Sequence, residues 1–97
     1  MESIYEEALC RELTLRKIQF ERQTEVEVIY KDICIKGQRL DLVVEAEVVV
    51  EVKALRKLEE VYTAQLLSYL KGAGKKRGLL INFGQVRLID GVKRVSL

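Results

Sequence analysis

The chain contains no histidine and no proline, and only two of its 97 residues are cysteines. Without histidine, serine–histidine and cysteine–histidine catalysis are excluded, so any hydrolysis must depend on carboxylates, lysine and a metal ion. Cys10 and Cys34 stand alone in the sequence, and two isolated cysteines cannot form a structural zinc site by themselves. We interpret both as small core residues rather than as a disulfide.

Long apolar runs are also missing, since none approaches the roughly 20 residues that span a bilayer. The first seven residues are acidic and lack the basic-then-apolar order of a signal peptide. We therefore expect a cytoplasmic protein with no membrane partner. A chain of 97 residues, 48% hydrophobic and 33% charged, is typical of one small globular domain with a modest core.

The net charge of +2 is unevenly divided along the chain. Residues 1–52 carry 7 basic and 12 acidic side chains, whereas residues 53–97 carry 10 basic and 3 acidic ones. This asymmetry is compatible with an anionic partner, above all nucleic acid. The alternative is that residues 71–77 form a solvated helix end, where cations complement the helix dipole. The candidate nucleic-acid contacts are Lys53, Arg56, Lys57, Lys71, Lys75, Lys76 and Arg77.

Apolar periodicity predicts two helices and six strands, in the order αβββαβββ. This order indicates an α/β domain with a central mixed β-sheet flanked by helices. The helices are predicted over residues 2–17 and 57–71, and the glycines at 72 and 74 end the second. The strands are predicted over residues 20–30, 33–44 with a bend at 37–38, 48–52, 78–83, 86–89 and 92–97. The fourth strand is expected to run parallel to a neighbour after a helical crossover.

Asp41 and Glu51 lie on two of these strands and face each other if the turn between them is centred on Ala46. Because strand side chains alternate between faces, Lys53 then shares the face of both carboxylates. Two directly opposed carboxylates repel, and a divalent cation between them would relieve the repulsion. A two-residue turn would instead place them on opposite faces, leaving a solvated hairpin with scattered charges.

This group of residues would suit metal-dependent cleavage of a phosphodiester. The carboxylates of Asp41 and Glu51 and the backbone carbonyl of Val52 are the oxygen ligands that Mg²⁺ prefers. Lys53 would stabilise negative charge at the scissile phosphate.

Two polar residues of the second helix add to the group. Gln65 and Tyr69 are four residues apart and therefore share a helix face, and a crossover helix packs back over its sheet. A buried glutamine in an apolar stripe requires a hydrogen-bond partner, which the metal site would supply. The alternative is a partly exposed glutamine at the edge of the stripe.

Together, Asp41, Glu51-x-Lys53 and Gln65-x-x-x-Tyr69 resemble the signature of the PD-(D/E)XK nuclease superfamily, in its RecB-type variant. More closely, the chain resembles the small GxxExxR proteins of that superfamily. The resemblance covers nearly the whole chain, as one nuclease-like domain over residues 1–97. It is carried by six ordered blocks: residues 2–9, 39–41, 50–54, 64–71, 78–83 and 90–95.

The resemblance implies a restriction-endonuclease-like core and a nuclease that uses Mg²⁺ or Mn²⁺ and acts on DNA. It implies that Asp41 and Glu51 are metal ligands and that Lys53 lies beside the attacking water. Gln65 and Tyr69 would support the site or contact DNA.

The resemblance implies that Glu2 matches the glutamate of the family's first helix, which points towards the metal, and that it would be a further metal ligand. Family members usually carry a further N-terminal helix and a glycine-containing turn before this glutamate. In this chain only Met1 precedes Glu2. The first helix is therefore expected to fray at Glu2. Loss of the preceding cover would expose an apolar strip and favour a homodimer. The alternative function is a non-catalytic nucleic-acid-binding or assembly module with a relict site, and a purely structural dimer is a third.

Overall fold

The computed structural model describes all 97 residues and contains a five-stranded sheet with a helix on each face. The strands lie in the order β1-β2-β3-β4-β5; β3 and β4 are parallel, and the other neighbours are antiparallel. The predicted α/β class with a mixed sheet is confirmed. Neither α-helix has the length and apolar composition of a membrane span. The elements are α1 (Glu2–Leu15), β1 (Phe20–Tyr30), β2 (Ile33–Val44), β3 (Val48–Lys53), α2 (Glu60–Ala73), β4 (Arg77–Asn82), a 3-10 helix (Leu88–Gly91) and β5 (Val92–Ser96).

The predicted strand over residues 86–89 is wrong, so the sheet has five strands instead of six. Ile81 of β4 pairs with Val92 of β5, which leaves the residues between them as the connection that reverses the chain. Val86, Leu88 and Ile89 make this segment apolar like a strand, but it finds no strand edge to pair with, and it ends in the 3-10 helix. Helix α2 also begins three residues later than predicted, at Glu60.

The core has two layers, one under each helix. On the α2 side, Val43 and Val49 pack in one cluster with Leu66, Tyr69 and Leu70. On the α1 side the cluster contains Cys10, Leu42, Val50 and Val52. Because β3 contributes to both layers, it is covered on both faces, as its continuous apolar sequence predicts.

The two cysteines have different environments, and no disulfide links them. Cys10 is buried, which confirms its interpretation as a core residue. The same interpretation of Cys34 is wrong, because Cys34 is exposed and its Sγ lies 3.1 Å from Glu27 Oε2. The outer half of the β1–β2 hairpin carries mostly exposed side chains, so an apolar residue there does not reach the core.

Gly72 lets α2 cross β1 in direct backbone contact. A Cβ at this position would overlap the carbonyl oxygen of Glu27, which belongs to the β1 backbone and cannot rotate away. We expect Gly72→Ala to lower the free energy of unfolding by about 2 kcal/mol, the size of a typical overpacking penalty. Urea denaturation measures this loss. Ser68→Ala, at an exposed position of the same helix, is the control and should be neutral or slightly stabilising. Equal stabilities of the two variants would contradict the prediction.

Candidate metal and catalytic site

The β2–β3 hairpin has the register that the sequence predicts. Glu45 and Ala46 adopt positive φ values of 52° and 58°, which closes a tight turn between the strands. The ladder beyond it contains the pairs Leu42↔Val50, Val43↔Val49 and Val44↔Val48. Continuing this register places Asp41 opposite Glu51, on the α2 face of the sheet with Val43 and Val49.

At Asp41 and Glu51, hydrogen bonds from backbone N–H groups to the two carboxylates replace the backbone–backbone hydrogen bonds of the β2–β3 ladder. The backbone N–H of Asp41 donates to Glu51 Oε1 at 3.2 Å, and the backbone N–H of Val52 donates to Asp41 Oδ2 at 2.8 Å. These bonds hold the two carboxylates in a notch between β2 and β3. Each carboxylate uses one oxygen to accept a backbone N–H, which leaves Asp41 Oδ1 and Glu51 Oε2 as the oxygens that could bind a ligand.

The backbone carbonyl of Val52 faces the same notch. The N–H and C=O of one strand residue point towards the same neighbouring strand. The N–H of Val52 points to Asp41, so its carbonyl is also on the β2 side. The next carbonyl, that of Lys53, points the other way and accepts from the N–H of Phe83 at 2.7 Å.

This donor set fits a hard divalent cation. Two carboxylate oxygens and a carbonyl are ligands for Mg²⁺ or Mn²⁺, and the absence of sulfur and imidazole at the site disfavours soft metals. No third carboxylate or cysteine completes a larger cluster. A cation held here would therefore take its other ligands from water and from the substrate.

The electrostatics of the pair also favour a cation. Glu51 is only 5% exposed, and its burial, followed by the neighbouring charge of Asp41, raises its pKa to about 8. Burial also raises the pKa of Asp41, although the hydrogen bond from the Val52 N–H opposes the shift. Ionisation of both carboxyl groups is therefore unfavourable in the metal-free protein, and a bound cation would stabilise the ionised pair.

Helix α1 brings Glu6, rather than Glu2, towards this pair. Glu2 is exposed at the start of the helix, and its predicted ligand role has no support in its position. Glu6 is buried one turn later, and its charge contributes to the raised pKa of Asp41. Its carboxylate accepts hydrogen bonds from Arg22 Nη2 at 2.7 Å and from Gln23 Nε2 at 3.1 Å.

Sequence reasoning missed Glu6, Arg22 and Gln23. The sequence around Arg22 and Gln23 has the alternation of an ordinary strand. In the structure, however, Gln23 has a φ of 52° and is not part of the β1–β2 pairing. The register on either side would place it opposite Asp41. Gln23 donates its amide hydrogen bonds to Glu6, and its presence beside Asp41 slightly lowers the pKa of that carboxyl.

Lys53 ends β3 beside the carboxylates. It shares the face of Glu51, and its charge lowers the pKa of both Glu51 and Asp41. Its Nζ lies 4.7 Å from the ring centroid of Tyr62 on α2, at a distance typical of a cation–π contact. The structure thus brings together the two carboxylates and the lysine that the sequence singled out.

Tyr69 and Gln65 meet on α2, as their spacing predicts. The Tyr69 hydroxyl accepts from Gln65 Nε2 at 3.1 Å and donates to Gln38 Oε1 at 3.0 Å. Burial, and then the charges of Glu51 and Asp41, raise the pKa of Tyr69. Gln65 is exposed at the edge of the apolar stripe of α2, so the alternative given for it in the sequence, a glutamine at the stripe edge, is the one observed. Gln38 was missed because it follows the bend at Gly37, whose φ is 88°.

The seven basic residues fall into two groups. Arg56 and Lys57 are exposed on the segment that follows Lys53. Arg77 pairs with Val48 at the opposite end of β3, about 17 Å from Lys53 at the usual rise per strand residue. Lys71, Lys75 and Lys76 are near Arg77 in the chain, and Lys75 Nζ donates to the carbonyl of Ala46 at 2.8 Å.

Comparison with known proteins gives a family and a likeness of fold. A family model of the PD-(D/E)XK nuclease superfamily matches residues 1–95. The crystal structure of SSO0001 matches 97% of this chain with a TM-score of 0.72 and 22% identity, which is a likeness of fold. The match covers 48% of the chain in that structure, so this chain spans about half of its length. No curated protein matches the chain.

Proposed function

The chain belongs to the PD-(D/E)XK nuclease superfamily, and from this premise we propose that it is a Mg²⁺-dependent nuclease that hydrolyses phosphodiester bonds in DNA. The observation that carries the proposal is the notch in which Asp41 and Glu51 each keep one carboxylate oxygen free. A narrower membership among the RecB-type GxxExxR proteins stays a prediction from the sequence blocks.

Each residue of the notch has a part in the proposed reaction. Asp41, Glu51 and the Val52 carbonyl would hold the cation, which when bound supplies Lewis acidity for the phosphate and acidity for a water. Lys53 places a fixed positive charge beside the scissile phosphate and stabilises the negative charge that grows on its oxygens. Tyr69 lies behind the carboxylates and orients the polar side chains of α2 and β2.

The proposed substrate is a nucleic acid because cations flank the site, and DNA is the substrate that the resemblance to PD-(D/E)XK nucleases implies. Arg56 and Lys57 follow Lys53 directly and would contact the phosphates next to the cleaved one. Arg77, at the opposite end of β3, is too distant to contact that phosphate, and together with Lys71, Lys75 and Lys76 it would bind the backbone further along.

Self-association is a further part of the proposal. Ile29, Tyr30 and Ile33 at the tip of the β1–β2 hairpin are 72%, 59% and 65% exposed. Adjacent exposed apolar side chains are typical of contact surfaces. This supports a homodimer of one-domain subunits; a cytoplasmic location remains the expectation from the sequence.

A cleavage assay tests the proposed function. Single- and double-stranded DNA would be incubated with the protein and Mg²⁺ or Mn²⁺, with EDTA as the metal-free control. We expect metal-dependent cleavage that Asp41→Ala abolishes and that Asp32→Ala, at an exposed turn, leaves intact. Equal cleavage by the protein and its Asp41→Ala variant would contradict the proposal. DNA binding without any calorimetric Mg²⁺ signal would favour the non-catalytic alternative.

Tyr69→Phe tests the supporting role of α2. The change removes only the hydroxyl, which leaves the Gln38 oxygen and the Gln65 amide without their shared partner. We expect a fall of about tenfold in kcat and a loss of about 1 kcal/mol in stability, the usual net value of such a hydrogen bond. Tyr30→Phe, at an exposed position, is the matched control. An unchanged kcat would restrict Tyr69 to a role in the core.

A further inference from the structure

Asn82, the last residue of β4, is 1% exposed and satisfies its amide within a short stretch of backbone. Its Oδ1 accepts from the N–H of Leu55 at 2.8 Å and from the N–H of Gly84 at 3.1 Å. Its Nδ2 donates to the carbonyl of Leu55 at 2.9 Å. The side chain thus pairs with Leu55 as a neighbouring strand would.

Leu55 lies two residues after Lys53, where β3 has ended and no regular element begins before Glu60. Two further contacts fix the same stretch. The N–H of Phe83 donates to the Lys53 carbonyl, and a Cβ on Gly84 would overlap the backbone of Leu55. The chain leaving β4 is therefore in contact with the chain leaving β3 on both sides of Ala54.

An asparagine at this position is unusual for a buried strand. Asparagine is depleted in strands, and burying its amide is costly unless every polar atom is paired. Here two of the three hydrogen bonds of the amide go to Leu55, in the backbone just beyond Lys53, and the third goes to the nearby Gly84. A lysine side chain has four flexible bonds, so its ammonium can be held in place only if its backbone is fixed and its stem is packed. Asn82 supplies the first condition, and the ring of Tyr62 supplies the second.

We propose that Asn82 is a positioning residue for Lys53: by holding Leu55 it fixes the end of β3 and so aims the Lys53 ammonium at the carboxylate notch. The consequence for catalysis rests on the proposed nuclease function, whereas the placement of Lys53 can be measured independently of it.

NMR tests the placement without any substrate. The ring of Tyr62 shifts the Lys53 Hε resonances upfield, and Tyr62→Leu identifies this shift. We expect Asn82→Ala to lose most of the shift while the variant is folded. Val95→Ala is the matched control, because it removes a buried side chain of β5 away from Leu55 and should keep the shift. If Asn82→Ala does not fold, Asn82→Asp replaces it; this variant keeps the acceptor for both N–H groups, replaces the donor to Leu55 by an oxygen that repels the Leu55 carbonyl, and should lose part of the shift.

Kinetics test the consequence for the reaction. We expect Asn82→Ala to lower kcat by about 30-fold, with the KM for DNA and the Mg²⁺ midpoint changed by less than about twofold, because only the placement of one charge is lost. Val95→Ala should keep its kcat at temperatures where it is folded. Wild-type Lys53 resonances in the Asn82 variant, or a wild-type kcat, would overturn the proposal and leave Asn82 as a fold-stabilising residue only. If the unmodified protein cleaves no DNA, the nuclease proposal fails, and the Lys53 resonances alone decide the role of Asn82.

Discussion

Lys53→Met is expected to lower the kcat of DNA cleavage by about 10²–10³-fold, the usual effect of removing one fixed electrostatic contact from a transition state. Methionine keeps an unbranched stem that can pack on Tyr62, so the variant loses the charge but little of the packing. The carboxylates of Asp41 and Glu51 stay in place, because their hydrogen bonds go to backbone N–H groups.

Single-turnover cleavage measures the effect of Lys53 on catalysis, and calorimetry of Mg²⁺ binding measures its effect on the affinity for the metal. Lys53 lowers the pKa of Glu51, so the comparison is best made at pH 9, above the pKa of about 8, where metal binding should differ by less than about tenfold. Lys57→Met, on the exposed segment just beyond, is the control and should retain nearly full kcat. Equal losses in the two variants would show that Lys53 acts as one of several general DNA contacts.

Glu51→Gln is expected to stabilise the metal-free protein at pH 9 by about 5 kcal/mol, because a pKa raised from 4.5 to about 8 costs roughly 1.4 kcal/mol per unit once the group is ionised. The pKa of Glu51 is about 8 in the folded protein, against an ordinary value of 4.5. The folded state therefore holds the proton more tightly than the unfolded state. This contribution to stability is fully present below pH 4.5 and is lost as the pH rises to 8. Glutamine cannot ionise, so the variant escapes that loss.

Chemical denaturation in EDTA at pH 5, 7 and 9 measures the effect. The stability difference between Glu51→Gln and the unmodified protein should grow with pH, and Glu47→Gln, at an exposed turn, should show no such trend. Adding Mg²⁺ at pH 9 should stabilise the unmodified protein and not the variant, because the ligand is lost. A difference that is independent of pH would contradict the raised pKa of Glu51.

The pairing of Asp41 with Glu51 could be predicted because it depends on two local rules. Strand side chains alternate between faces, and a three-residue turn fixes which residues are opposite. Tyr69 and Gln65 follow from helical spacing in the same way. These residues define the site because the sequence places them on elements whose periodicity is strong.

The other parts of the site depend on tertiary packing, which leaves no periodic trace. Glu6 reads as one more acid on a polar helix surface, and only the docking of α1 beside Arg22 reveals that it is buried. Asn82 lies at the end of an apolar run, where a single amide residue indicates only that a strand ends. Residues 86–89 are mostly apolar, which is also typical of a strand, and the prediction fails because β5 pairs directly with β4.

The carboxylate notch and the contact that holds the chain after Lys53 also differ in the length of chain that must close to form them. The hydrogen bond from Asp41 to Glu51 joins residues ten apart, whereas that from Leu55 to Asn82 joins residues 27 apart and encloses all of α2. Closing the longer loop costs about 1 kcal/mol more in chain entropy. The carboxylate hairpin is therefore a local unit that can form early during folding, and Lys53 acquires its fixed backbone only when the α2 crossover has closed.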